Sequence, residues 1–189
     1  MSVASHAQQI EIADEIIDGE PIRLGISELP PTAEVIVDAQ RVDAGGVTFA
    51  SSATYRSSSD GRIDPAIDAA IGGSYSGVNA AGLFWSMQRT DRTSEARRTI
   101  TLTVRIGDRI LTSRSVPTID PASRVTVEDI ARFDGARLYR PRGGERVPVV
   151  ILLGGSEGGF GLWAGIWSAA GYARLCGDCA SLPQSSLDQ

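Results

Sequence analysis

The 189-residue sequence predicts a mainly β protein, in which an immunoglobulin-like β-sandwich is followed by a shorter βαβ segment. Short runs rich in β-branched residues recur between turn residues from about residue 10 to residue 115. Beyond about residue 125, alternation gives way to a continuous apolar run and then to helical periodicity. Hydrophobic residues make up 42% of the chain, enough for a packed core. We place the sandwich at residues 10–118 and the second segment at residues 125–189.

Six strands are predicted in the first segment, and the clearest pattern is the alternation of Thr99–Ile106. The isoleucines, Leu102 and Val104 of this run are expected to face the core, with the threonines and Arg105 on the opposite face. The predicted strands are Ile10–Ile17, Ile22–Ser27, Glu34–Val42, Val47–Tyr55, Thr99–Ile106 and Arg109–Val116, with turn residues at Pro30-Pro31, Gly45-Gly46, Asp60-Gly61 and Gly107-Asp108.

The second segment has the order strand, glycine loop, helix and strand, which is that of a βαβ unit. Arg137–Tyr139 is predicted as a strand, and Val147–Leu153 as a strand buried on both faces because its apolar run does not alternate. Gly171 is expected to end the helix, and Tyr172–Cys176 to form the next strand. The apolar face of the helix is predicted from the spacing of Phe160, Trp163, Ile166, Trp167 and Ala170.

The charged residues exclude several classes of function. All 18 basic residues are arginine, against 23 acidic residues, and the net charge of −5 argues against nucleic-acid binding. The absence of lysine excludes a Schiff base and a P-loop, and the single histidine, His6, excludes a multi-histidine zinc site. We therefore predict neither a metal nor a cofactor.

Cys176 and Cys179 form a single C-x-x-C, which is either a redox pair or two small residues near a strand end. The sequence leaves both roles open. No secretory signal is visible at the N-terminus, and no window is long and apolar enough to span a membrane. The expected location is therefore the cytoplasm.

Residues 154–158, Gly-Gly-Ser-Glu-Gly, match the G-x-S-x-G pattern that carries the nucleophile of many serine hydrolases. A nucleophilic Ser156 would need a base, and neither a histidine nor a lysine follows it in the chain. We therefore predict no catalytic residue. The glycine loop is either a tight turn or a cradle whose backbone N–H groups hold a phosphate or an oxyanion.

Residues Gly72–Met87 carry a G-S-Y-x-G motif at Gly73–Gly77, followed by Gly82-Leu83 and Trp85-Ser86-Met87. This stretch resembles the N-terminal domain of the family of acyl-CoA thioesterases and bile acid-CoA:amino acid N-acyltransferases. That domain is an immunoglobulin-like sandwich, and the resemblance implies the same fold here. Taken locally, the stretch indicates a glycine turn and a strand that buries Leu83 and Trp85.

The residues from Arg137 onward are similar to the start of the second domain of this family, an α/β-hydrolase. In the family, the glycine loop after the first long strand lends N–H groups to the oxyanion, so the resemblance assigns this role to Gly155 and Ser156. The nucleophile, aspartate and histidine of the family lie further along, which implies a truncated α/β-hydrolase, inactive alone. The sequence departs from the family at Arg174, Cys176, Gly177 and Asp178.

The resemblance implies an acyl-CoA substrate whose thioester is attacked in hydrolysis or acyl transfer. Arg137, Arg140 and Arg142 either neutralise the phosphates of coenzyme A or are solvated arginines on a strand and turn. Two alternatives stand for the whole chain: a non-catalytic β-sandwich that binds a partner, and a non-functional remnant.

Overall fold

The computed structural model describes residues 8–93, 97–132, 136–143, 146–153, 167 and 171–177. Within them the chain is mainly β, with a short helix α1 at Gly82–Trp85 and a 3-10 turn at Pro121–Arg124. The strands are β1 Gln9–Glu11, β2 Ile16–Ile17, β3 Gly25–Ser27, β4 Glu34–Val42, β5 Val47–Arg56, β6 Gly72–Gly73, β7 Gln88–Arg92, β8 Thr99–Ile106, β9 Arg109–Ile119, β10 Val125–Asp129, β11 Arg137–Pro141, β12 Val149–Leu153 and β13 Ala173–Gly177.

The chain divides into two units, Met1–Ile16 with Pro21–Thr118, and Ile17–Glu20 with Ile119–Gln189. The main element of the first unit is a sheet with the strand order β2-β9-β8-β4-β5-β6, in which β7 also pairs with β5. The ladders that join β4, β5, β8 and β9 are antiparallel. Strands β1 and β3 form a separate antiparallel pair.

The core of the first unit lies between one face of the large sheet and the β1–β3 pair. Inward residues of the sheet include Val37, Leu102 and Val104, which are fully buried. Ile10 of β1 and Ile26 of β3 belong to the same apolar cluster. Because side chains alternate along a strand, these positions put every second residue into the core.

The opposite face of the large sheet is polar. The Thr101 and Ser115 hydroxyls are 2.8 Å apart across neighbouring strands, and Arg105 Nε donates to Asp38 Oδ2 at 2.7 Å. The inward and outward faces predicted for Leu102, Val104 and the threonines of β8 are therefore confirmed.

Two of the predicted strands, Glu34–Val42 and Thr99–Ile106, have the bounds expected from the sequence. The prediction of one strand at Ile10–Ile17 is wrong, because β1 and β2 are separate strands that pair in different sheets, β1 with β3 and β2 with β9. Between these strands, Asp14 Oδ1 accepts a hydrogen bond from Arg114 Nη2 at 2.7 Å, and within β1 the Ile10 carbonyl accepts one from Arg114 Nη1 at 2.9 Å. The guanidinium of Arg114 thus ties this N-terminal segment to β9.

The second unit contains a mixed sheet with the order β10-β11-β13-β12. Strands β12 and β13 are parallel, whereas β11 is antiparallel to both of its neighbours, β10 and β13. The strand β13 forms despite Arg174 and Gly177, and parallel pairing with β12 is the arrangement that a βαβ unit requires.

Burial of β12 on both faces, as predicted, is wrong for the described residues. Val149 and Ile151 are 57% and 63% exposed. The strand is the last one of its sheet in the described part of the chain, so a continuous apolar run here occupies an edge. Apolar content alone does not distinguish a central strand from an edge strand.

Gly171 has the backbone geometry that the sequence predicts for a glycine at a helix C-cap. Its φ is +83°, and the Tyr172 N–H donates to the Trp167 carbonyl at 3.1 Å. This is the six-to-one hydrogen bond of a Schellman C-cap. The other residues of the predicted apolar helix face, Phe160, Trp163, Ile166 and Ala170, lie outside the described residues.

Candidate functional site

The stretch Gly72–Met87 is built around a buried pair of tyrosines. The hydroxyl of Tyr75 is hydrogen-bonded to that of Tyr55, which is fully buried on β5. Burial raises the pKa of both phenols, most strongly that of Tyr55. The pair is therefore neutral, and it satisfies two hydroxyls that would otherwise be costly to bury.

Two glycines in this stretch are required by close packing. Gly73 has a φ of +112°, and a Cβ there would collide with the Ser52 carbonyl. A Cβ on Gly82 would overlap the ring of Tyr75. These glycines admit the tyrosine ring and the neighbouring strand to positions that a larger residue would block.

The end of the stretch is a helix, which corrects the predicted strand. Helix α1 buries Leu83, whose carbonyl accepts a hydrogen bond from the buried Ser51 hydroxyl. Trp85 is 62% exposed, so its predicted burial is also wrong; its ring packs at a tilt against Tyr75 with centroids 6.0 Å apart. The conformation of Gly72–Met87 is thus fixed by packing contacts within the first unit.

The three arginines predicted to meet phosphates have different surroundings. Arg137 Nε donates to Asp129 Oδ1 at 3.1 Å, and this hydrogen bond raises the pKa of Arg137. Arg142 Nε is 3.4 Å from the Val125 carbonyl. Arg140 lines a groove, and there it is joined by Arg146, which the sequence does not indicate as a phosphate ligand.

This groove has a volume of about 470 Å³ and lies on the sheet of the second unit. Within the described residues, no acidic side chain lines it, and neither Arg140 nor Arg146 has a side-chain partner. The arrangement provides positive charge beside an apolar surface. Its lining consists of Leu138, Arg140, Arg146, Val147, Pro148, Val149 and Ala173.

The chain matches a known protein family. Residues 19–149 match the family described as "Acyl-CoA thioester hydrolase/BAAT N-terminal region". The protein belongs to this family. The assignment agrees with the resemblance carried by Gly72–Met87, which lies within the matched residues.

Curated relatives of this acyl-CoA thioester hydrolase/BAAT family protein match the chain over only part of their own length. The bile acid-CoA:amino acid N-acyltransferase of Mus musculus is 39% identical over 69 residues, covering 36% of this chain and 16% of that protein. The Homo sapiens bile acid-CoA:amino acid N-acyltransferase is 27% identical over 176 residues, covering 82% and 42%. Acyl-coenzyme A thioesterase 3 of Mus musculus is 33% identical over 79 residues, covering 42% and 18%. The chain spans less than half the length of these relatives.

In this family protein, the predicted oxyanion residues Gly155 and Ser156 lie outside the described residues, as does Cys179. The strand that precedes them, β12, ends at Leu153, and Cys176 lies on the parallel strand β13. Within the described part of the chain, no helix is long and apolar enough to cross a membrane.

Proposed function

We propose that the chain is the front part of a protein that hydrolyses acyl-CoA thioesters or transfers their acyl group. The observation that carries this proposal is the family match over residues 19–149. The relatives named above as a thioesterase and as N-acyltransferases support the substrate class, and the matched part is described as an N-terminal region.

The proposed architecture is an immunoglobulin-like sandwich at residues 10–118 and the start of an α/β-hydrolase at residues 125–189. The antiparallel sheet packed on the β1–β3 pair supports the first part. The parallel pairing of β12 with β13 supports the second. The exposed apolar side chains of β12 are those expected of a sheet to which further strands belong.

In the proposed reaction, a nucleophile attacks the thioester carbonyl, whose oxygen becomes an oxyanion. Backbone N–H groups at Gly155 and Ser156 would donate to that oxygen, and one such donor is typically worth about 2.7–4 kcal/mol. We assign the nucleophile and its base to a segment that follows Gln189 in a longer polypeptide, because no histidine lies between Ser156 and Gln189. The 189-residue chain alone is therefore proposed to be inactive.

The first test is an acyl-CoA hydrolysis assay with a thiol-reactive dye, together with intact-mass measurement for an acyl adduct. We expect neither turnover nor an adduct from the 189-residue chain, and no difference between it and Ser156→Ala. Turnover or acylation that is lost in Ser156→Ala would contradict the proposal, because Ser156 would then be a working nucleophile.

The second test concerns the gene. We expect the reading frame to continue into a segment with a nucleophile, an aspartate and a histidine, and the longer polypeptide to hydrolyse an acyl-CoA or transfer its acyl group. A longer polypeptide that folds, yet does neither, would overturn the proposed function.

A further inference from the structure

We infer that the groove of Arg140 and Arg146 binds a phosphate group of coenzyme A. This inference rests on the proposed function for the identity of the ligand. The site itself rests on the two arginines that line the groove, their lack of described partners and the apolar residues beside them.

The register of the sheet brings the groove together from three strands. Tyr139 of β11 is opposite Arg174, so Arg140 lies level with Ala173, which in turn is opposite Val149 of β12. Ala173 is buried, and it lines the groove together with Arg140 and Val149. Arg140 thus borders a recess that has Val149 on its far side.

The groove carries positive charge on a chain that is acidic overall. The chain carries a net charge of −5, and several of its arginines are neutralised by a nearby carboxylate. These pairs are Arg62 with Glu11, Arg105 with Asp38, Arg114 with Asp14 and Arg137 with Asp129. Arg140 and Arg146 line one groove without such a partner among the described residues, and planar guanidinium groups bind phosphate through paired hydrogen bonds.

The size and the apolar part of the groove favour a ligand larger than a phosphate ion. The volume of about 470 Å³ lies in the range of small-molecule sites, which is roughly 300–1,000 Å³. Leu138, Val147 and Pro148 offer contact area for the organic part of the ligand. Coenzyme A combines phosphate groups with such a part, and it is the carrier in the substrates of the proposed function.

The experiment is isothermal titration of the full 189-residue chain with coenzyme A at low salt, with pantetheine as the phosphate-free probe. We expect coenzyme A to bind and pantetheine not to. Arg140→Gln and Arg146→Gln should each weaken coenzyme A binding by about tenfold or more, because each removes a charge-assisted contact. Arg137→Gln is the matched control on the same strand, and it should change the affinity less than about twofold.

Thermal unfolding and circular dichroism of every variant establish that it is folded. Unchanged coenzyme A affinity in folded Arg140→Gln and Arg146→Gln would overturn the inference, as would an equal loss in Arg137→Gln. If inorganic phosphate binds as tightly as coenzyme A, then coenzyme A is not the specific ligand of the groove. None of these results bears on hydrolysis by the longer polypeptide, so the proposed function would stand or fall separately.

Discussion

At the scale of single residues, the buried hydroxyl pair of Tyr55 and Tyr75 explains much of the family motif. Tyr75 is the tyrosine of G-S-Y-x-G, and Gly82 admits its ring. The resemblance identified these residues from the sequence, but their roles depend on Tyr55, which lies 20 positions earlier. A contact of that separation is formed by the sheet and leaves no local periodicity to detect.

Removal of one hydroxyl from the pair should destabilise the protein. Tyr55→Phe leaves the Tyr75 hydroxyl buried without its partner, so we expect a loss of about 1–3 kcal/mol in the free energy of unfolding measured with urea. The double variant with Tyr75→Phe should lose less than the sum of the two single losses. Thr101→Val, which removes an exposed hydroxyl bond, is the control and should cost under about 0.5 kcal/mol. Additive losses would contradict the pairing.

The same pair predicts a dependence of stability on alkaline pH. The folded state raises the pKa of Tyr55 and Tyr75 through burial, so both stay protonated where the unfolded chain begins to ionise. Their contribution is present in full below pH ~10 and is lost as pH rises above it, by at most ~1.4 kcal/mol per pH unit for each group.

Urea unfolding at pH 9, 10 and 11 measures this effect. The wild type should lose stability more steeply than the double variant Tyr55→Phe/Tyr75→Phe. The absence of lysine leaves few other groups that titrate in this range. Parallel pH profiles of stability for the two proteins would be evidence against raised pKa values of Tyr55 and Tyr75.

Adjacent glycines of β6 provide a matched test of backbone requirements. Gly73→Ala should cost about 2 kcal/mol or more, because the position has positive φ and the added Cβ would meet the Ser52 carbonyl. Gly72→Ala should be nearly neutral, since nothing lies within 4 Å of the added Cβ. Urea unfolding of both variants compares them directly, and equal stabilities would disprove this account.

At the scale of elements, the sequence predicted best where one face of a strand is buried. Glu34–Val42 and Thr99–Ile106 alternate cleanly, and their bounds were correct. Helix α1 is not predictable from the sequence, because four residues are too short to show helical periodicity. The exposure of β12 was missed because an apolar run gives no information about which strands lie beside it.

The candidate sites show the same limit. The positions of the arginines in the sequence suggest phosphate binding, but they do not show which arginines already have a partner. Arg137 is paired with Asp129 on the neighbouring strand, a relation set by the register of β10 and β11. The sequence does not indicate Arg146, because it lies in a polar turn and only the folded sheet brings it to the same groove as Arg140.

At the scale of the whole molecule, the two units differ in how much apolar surface they bury. The first has a large buried cluster, whereas the buried apolar residues of the second are few among those described: Ile17, Val125, Ala136 and Ala173. Sparse burial lowers the free energy of local opening. We therefore expect the second unit to open more readily than the first.

Limited proteolysis tests this difference. Mass spectrometry of the digest should show loss of much of residues 145–189 and survival of a fragment that contains β1 to β9. Addition of coenzyme A should slow the loss if it binds the groove. Equal protection of both units in the isolated monomer would contradict the expectation.

The attachment of β1 by Arg114 bears on where a minimal version of this domain must begin. The family match starts at residue 19, so a polypeptide trimmed to the matched span would lack Ile10, Asp14 and the carbonyl that receives the guanidinium. It would leave Ile26 without its neighbour across the two-stranded ladder and would open one side of the hydrophobic interior. The matched span therefore begins inside the first unit, and a gene fragment designed for expression has to include the residues before residue 19.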